Sequence, residues 1–347
     1  MRLPTKVLAT AVAVAAMAAA GCGSSNNTSG SAGSSTGSTS TGGGAAKKLK
    51  IAILLPGSAS DQGYNADGKR TAEALKTQLG ADVTFTEAVP IPNQTDVYRQ
   101  YASQGNDLVI GWGTQFTEGA VAAAKEFPKV KFLVVNATAK NGTNLASMDT
   151  KIEQWQFFAG YVAAKLAKNG VVGFVGGQCF PATAANMYGT KAGAEYANPH
   201  VKFIGQFTGD FEDPTKAKTT ASAIIDQGAT ALTGNVNNGW AGIYQAAKEK
   251  GNIPVVTEWA DNHAQAPQVI ASSVLKSQSK FIVGIAKTVQ DGTFKGVMTM
   301  FPLPADWGPA ISNTALLPDA IYNKAIALQA KVASGAIKVK RNETCPK

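Results

Sequence analysis

From about residue 47 onward, short apolar runs rich in β-branched residues alternate with longer stretches whose apolar positions recur at helical spacing. Residues 49–55 (LKIAILL) form the first near-continuous apolar run, the kind buried on both faces of a parallel sheet. DVTFTEAV, DLVIGW, KFLVVNA, VVGFVGG, VKFIGQF, ATALTGN and IPVVTEW repeat the strand pattern. Between them the spacing predicts helices near 63–79, 96–104, 117–126, 153–168, 185–197, 214–227 and 239–250. Strands separated by helices of this length make βαβ units with right-handed crossovers, so the fold class is α/β with mostly parallel sheets. The break at 144–151 (NLASMDTK) is the expected first crossing between two lobes. The expected division is 47–148 with about 262–295 in the first lobe, and 149–261 with about 296–347 in the second.

Ligands of open α/β sheets bind beyond the carboxyl ends of the strands. Six polar loops occupy that position: 58–65, 112–116, 136–138, 178–180, 235–240 and 258–262. If two such lobes oppose each other, all six face one cleft.

The first 46 residues follow a different pattern. Arg2 and Lys6 precede an apolar run at 7–20 that is too short to span a bilayer, and small residues then lead to Cys22. The sequence Ala19-Ala20-Gly21-Cys22 resembles a bacterial lipobox, which makes 1–21 a leader and Cys22 the acylated mature N-terminus. Several acyl chains on one residue suffice for stable membrane attachment at the extracytoplasmic face. Residues 23–46 contain no charge, aromatic or branched aliphatic side chain, so they are expected to form a flexible tether with a mean reach of roughly 27 Å.

The chain's 347 residues fit two lobes at roughly 100 to 200 residues per domain. Its formal charge is +9, and without Arg2 and Lys6 the balance is 30 basic against 23 acidic residues. The basic residues are scattered and form no stripe interleaved with aromatics, which argues against a nucleic-acid partner. Such an excess suits a protein held against an anionic membrane.

Several segments, in order, resemble the basic membrane protein family of bacterial lipoproteins. They are IAILLPGSASDQGYNADGKR, DLVIGWGTQFTEGAVAAAKEFPKVKF, VGFVGGQ with GTKAGAEYANP, DPTKAKTTASAIIDQGA, YQAAKEKGNIPVV and QDGTFKG. The resemblance covers about 48–340. It implies a two-lobed type I periplasmic-binding-protein fold with three crossovers and a ligand cleft between the lobes. It also implies a monomeric receptor that captures a purine nucleoside or related flat heterocycle, without a cofactor, and delivers it to an ABC permease and its ATPase. A sensor for a signalling partner, or a receptor for riboflavin or a sugar, is the alternative.

By the same resemblance, Asp61, Tyr64 and Asn65 are expected near the ligand, although Asp61 also suits a helix cap. Trp112, between Gly111 and Gly113, is expected to project into the cleft and stack on a planar ligand, with Phe116 supporting it. Asn136 and Trp259 stand where nucleoside-binding members usually carry Asp, which points to a more aromatic and less anionic site. Glu258 and Asp261 offer carboxylates in the same loop, Asn235 and Trp240 extend the set, and Lys276 falls at a basic position of the pattern. Cys179 and Cys345 are candidates for a disulfide. Neither His200 nor His263 lies in a metal-ligand spacing. From residue 47 onward G-x-S-x-G, H-E-x-x-H, the P-loop and G-x-G-x-x-G are all absent, so a binding protein is expected and not an enzyme.

Overall fold

The computed structural model describes residues 48–346 except 62 and 305–310. The leader, Cys22 and the tether lie outside the described residues.

The first sheet contains β1 (Lys50–Leu54), β2 (Asp82–Thr86), β3 (Leu108–Trp112), β4 (Lys131–Val135) and β5 (Leu145–Thr150). Helices α1 (Tyr64–Leu79), α2 (Gln94–Ser103) and α3 (Thr117–Glu126) connect them. After Lys151 the chain enters α4 (Ile152–Leu166) and builds a second sheet from β6 (Val171–Gly176), β7 (Lys202–Phe207), β8 (Ala231–Asn235), β9 (Val255–Trp259) and β10 (Ile270–Leu275). Here the connecting helices are α5 (Pro181–Ala197), α6 (Pro214–Asp226) and α7 (Trp240–Glu249). The chain then returns to the first lobe for α8 (Ser279–Gln290) and β11 (Met298–Phe301), and crosses again to β12 (Ile311–Ser312) and α9 (Asp319–Ala333).

The strand orders are β11-β5-β4-β3-β1-β2 and β12-β10-β9-β8-β6-β7. All pairings are parallel except that of β12 with β10. All of β3 and β9 is buried, as expected for strands covered on both faces.

Two assignments change with the pairing. Residues 145–150 are not a bare connection. They form β5, whose six residues are all buried between β4 and β11, and the crossing falls at Lys151. The division at 262–295 also moves, because β10 pairs with β9 in the second lobe and β11 pairs with β5 in the first. The second crossing therefore lies at 276–278. There the Gln278 amide donates to Asp67 of α1 at 2.9 Å, and Thr71 and Ser279 share a hydroxyl hydrogen bond of 2.9 Å.

Candidate ligand-binding cleft

The lobes meet over a cavity of about 260 Å³ at the carboxyl ends of both sheets. That is near the small end of the roughly 300 to 1,000 Å³ typical of small-molecule sites. Tyr64 opens α1 on the first lobe, and its ring lies 5.2 Å from the Trp259 ring of the second in an edge-on arrangement. Its hydroxyl donates to Asn136 Oδ1 at 2.8 Å. Burial, reinforced by the charges of Asp149, Asp67 and Asp61, pushes the phenol well above its ordinary value, so it remains a donor.

Asn136 follows β4 with φ of 55°, a left-handed conformation that Asn tolerates better than most residues. It donates to Asp149 Oδ1 at 2.8 Å and accepts from Gln278 Nε2 at 3.2 Å, so one amide joins three segments. Trp259 ends β9 with φ of 76°, which is strained for a bulky side chain and costs about 1–3 kcal/mol. Its indole lies beneath the Lys276 ammonium, 5.1 Å from ring centre to Nζ.

Beneath Trp259 lies a buried polar cluster around Glu258. Its carboxylate accepts from Asn186 at 3.2 Å, from Asn235 and Gln156 at 2.5 Å each, and from Lys276. Burial pulls the Lys276 ammonium below its ordinary value, and the Glu258 charge opposes that pull. Asn186 and Asn235 also border the cavity, so Glu258 acts on the wall through them. Near the mouth, Glu212 accepts from Asn237 at 2.6 Å and from Asn238 at 2.7 Å. Burial raises its carboxyl, the Asn237 bond opposes the rise, and the Asp61 charge adds to it. A Cβ on Gly57 of the first lobe would lie 2.7 Å from Glu212 Oε1, so glycine there permits the close approach of the lobes.

Of the residues singled out in the sequence, Tyr64, Asn136, Asn235 and Trp259 border the cavity. Glu258 and Lys276 lie behind it as the ion pair. Asp61 is occupied by the chain itself: its carboxylate accepts from the backbone amides of Gly63, Asn65 and Ala66 and from the Asn65 side chain at 2.8–2.9 Å. Asn65 completes that loop by accepting from the Gly57 amide at 3.1 Å. Asp261 turns outward and accepts from the His263 amide.

Trp112 does not project into the cavity. It shares the α1-facing side of β3 with Leu108 and Ile110, is fully buried, and donates from Nε1 to the Tyr64 carbonyl at 2.9 Å. Gly111 on the opposite face makes room for Tyr98 and Phe116, which pack edge to face at 6.3 Å. Phe116 is therefore core, as is Trp240, which stacks on Tyr244 at 5.8 Å.

The loop after β7 is not one of the six polar loops of the sequence pattern, yet it supplies Phe211 and Glu212 to the cavity. Phe180 and Phe211 lie near-parallel with centroids 6.3 Å apart and form a flat apolar wall. An aromatic residue just before the helix cap Asp213 is the available signal. Cys179, beside Phe180, is disulfide-bonded to Cys345. Among the described residues no group of three His, Cys, Asp or Glu is placed to hold a metal, and no helix is long and apolar enough to cross a membrane.

Comparison with known proteins agrees with this architecture. Residues 48–343 match the model of the family described as Bmp, ABC transporter substrate-binding protein PnrA-like. Basic membrane protein D of Borreliella burgdorferi is 28% identical over 297 residues, covering 83% of this chain and 87% of that protein. A purine-binding protein of Brucella abortus is 26% identical over 295 residues, covering 84% and 83%. An ABC transporter solute-binding protein from Conexibacter woesei superposes with a TM-score of 0.66 at 27% identity, covering 84% of this chain and 99% of that one. Two lobes of parallel sheet flanked by helices, joined by three crossings around one cleft, are the periplasmic-binding-protein architecture, and the chain belongs to the Bmp family of ABC-transporter substrate-binding proteins.

Proposed function

We propose that the chain captures a purine base or nucleoside by closure of its lobes and delivers it to a membrane permease, tethered to the extracytoplasmic face through a lipidated Cys22. The observation that carries the ligand class is the lining of the cavity. Tyr64, Phe180, Phe211 and Trp259 give flat apolar surface, while Asn136, Gln178, Asn186, Asn235 and Asn237 offer amides that both donate and accept. A heterocycle with an alternating polar edge uses both. A sugar would call for carboxylates free to bind its hydroxyls, whereas Glu212 of the lining already accepts two amides. The small volume favours one flat ring system over a bulky conjugate. The name of the Brucella relative supports the same class.

A thermal-shift panel of nucleosides, nucleobases, riboflavin and sugars tests the ligand. A true ligand at about 100 times its Kd adds roughly 2.7 kcal/mol to folding stability. Failure of every purine to stabilise the protein, with a shift from riboflavin or a sugar, would replace the ligand class. The anchor has its own test: Cys22→Ser should move the protein from the membrane fraction to the soluble extracytoplasmic fraction. Retention of the variant at the membrane would remove lipidation as its cause.

A further inference from the structure

Beyond α9 the chain folds back across the crossing between the lobes. Ile337 and Val339 pack on the core of the second lobe, and Arg341 then reaches the first crossing. Its guanidinium donates to the Thr150 carbonyl and to Glu153 Oε2, each at 3.0 Å, to Asp149 Oδ2, and to Glu343 at 2.6 Å. Asp149 and Thr150 end β5 in the first lobe, and Glu153 lies in the first turn of α4 in the second. One side chain therefore ties both sides of Lys151. The other Asp149 oxygen accepts from Asn136, whose own oxygen accepts from the Tyr64 hydroxyl. Four residues after Arg341, Cys345 is bonded to Cys179, which lies between the cavity-lining Gln178 and Phe180. The tail thus contacts residues directly behind the cavity wall in both lobes: Asp149, which holds Asn136, and Cys179, which adjoins Gln178 and Phe180.

We propose that the C-terminal segment 341–345 is a positioning element of the ligand site, in which Arg341, stapled in place by Cys179–Cys345, orients Asn136 through Asp149. This rests on the cleft being the binding site. Asp149 is 2% exposed, and a carboxylate at that depth needs a cation to stay ionised. Burial raises its carboxyl, and Arg341 is the largest influence opposing that rise. Without the guanidinium, the Asp149 carboxylate turns toward solvent to hydrate its charge. Asn136 then loses the acceptor that fixes its amide, and Tyr64 loses the oriented oxygen it donates to. The covalent bond from Cys345 to Cys179, four residues beyond Arg341, keeps the guanidinium at its post.

The test uses the full chain with inosine, guanosine, adenosine and hypoxanthine as probes, titrated calorimetrically below the unfolding transition of every variant. Arg341→Met is expected to weaken the tightest probe about tenfold, equivalent to about 1.4 kcal/mol. Adding Asp149→Asn should recover affinity to within about threefold, because the neutral amide needs no cation yet still accepts from Asn136. A purely structural ion pair predicts a lower melting temperature with unchanged affinity in the folded protein, and that result overturns the proposal. So does a double variant no better than the single one. Cys179→Ser with Cys345→Ser should weaken the same probe about threefold, and unchanged affinity removes the staple from the account. If the unmodified chain binds none of the four probes, the purine reading fails by itself. Positioning is then read from amide hydrogen exchange at 135–137 and 178–180: faster exchange in Arg341→Met supports it, and equal exchange overturns it.

Discussion

Replacing Gly160 by valine is expected to destabilise the second lobe by about 3 kcal/mol or more, and to leave little soluble protein. Nearly every residue of α4 is buried, which marks a helix packed on all sides. Its closest neighbour is α5, and the approach depends on glycines from both helices. A Cβ on Gly160 would lie 1.8 Å from the Thr190 carbonyl oxygen, and one on Gly193 would lie 2.0 Å from that of Phe157. Gly189 is similarly placed, 2.4 Å from Glu153 Cα. The obstacles are helix backbone, so no side chain can swing aside and the helices must separate. Separation also moves Gln156 on α4 and Asn186 on α5 away from Glu258, whose carboxylate both contact. Chemical denaturation of Gly160→Ala and Gly160→Val checks this. A valine variant as stable as the parent would mean that the helix pair tolerates a wider spacing.

This close helix pair is only half legible in the sequence. The helical periods of α4 and α5 show within a few residues of their ends, but their crossing does not, since a glycine in a helix has the same local signature whether it faces solvent or another backbone. Strands are legible where apolar runs are long. β10 escapes the pattern because Ser272 and Ser273 interrupt it, although both are buried and Ser273 accepts from the Asn262 amide at 3.2 Å. β5 escapes for a similar reason: Ser147 and Asp149 make LASMDT look like a loop, whereas Asp149 is held there by Asn136 and Arg341.

At the site, the rule that ligands gather at strand ends locates the cleft, but it cannot tell which side of a strand end faces the cavity. Trp112 and Trp259 both end strands, and only the second lines the cavity. Two-residue alternation places Trp112 with Leu108 and Ile110, a signal present in DLVIGW but outweighed there by the flanking glycines. Asp61 and Asn65 have two uses available, loop capping or ligand contact, and their hydrogen bonds fall within the loop. Arg341 carries no signal at all, because KVKRNETCPK reads as a solvated basic tail until the fold carries it to Asp149.

Lys276→Met is expected to destabilise the protein by about 3–5 kcal/mol, since it strands Glu258 among donors with no balancing charge. For a lobe of this size that corresponds to a fall in melting temperature of roughly 10 °C or more. Both partners are nearly inaccessible, with side chains 2% exposed, so water cannot substitute for the lost ammonium. Three amides would remain on the carboxylate, and they supply dipoles but no charge. Glu258→Gln alone should cost a similar amount by leaving the Lys276 ammonium over the Trp259 ring unpaired. The double variant, Lys276→Met with Glu258→Gln, should recover most of the loss, because an uncharged amide can still bond Gln156, Asn186 and Asn235. A thermodynamic cycle over these variants should therefore return a coupling of several kcal/mol, above the range seen for surface pairs. Ligand affinity should not recover with stability. An ionised carboxylate accepts only and so turns the amide nitrogens of Asn186 and Asn235 inward, while the side-chain amide introduced by Glu258→Gln dictates no such orientation. Additive single-variant effects would mean that the ion pair is not what holds this cluster together. Recovery of both stability and affinity in the double variant would instead show that packing of the cluster, and not its charge, sets the cavity wall.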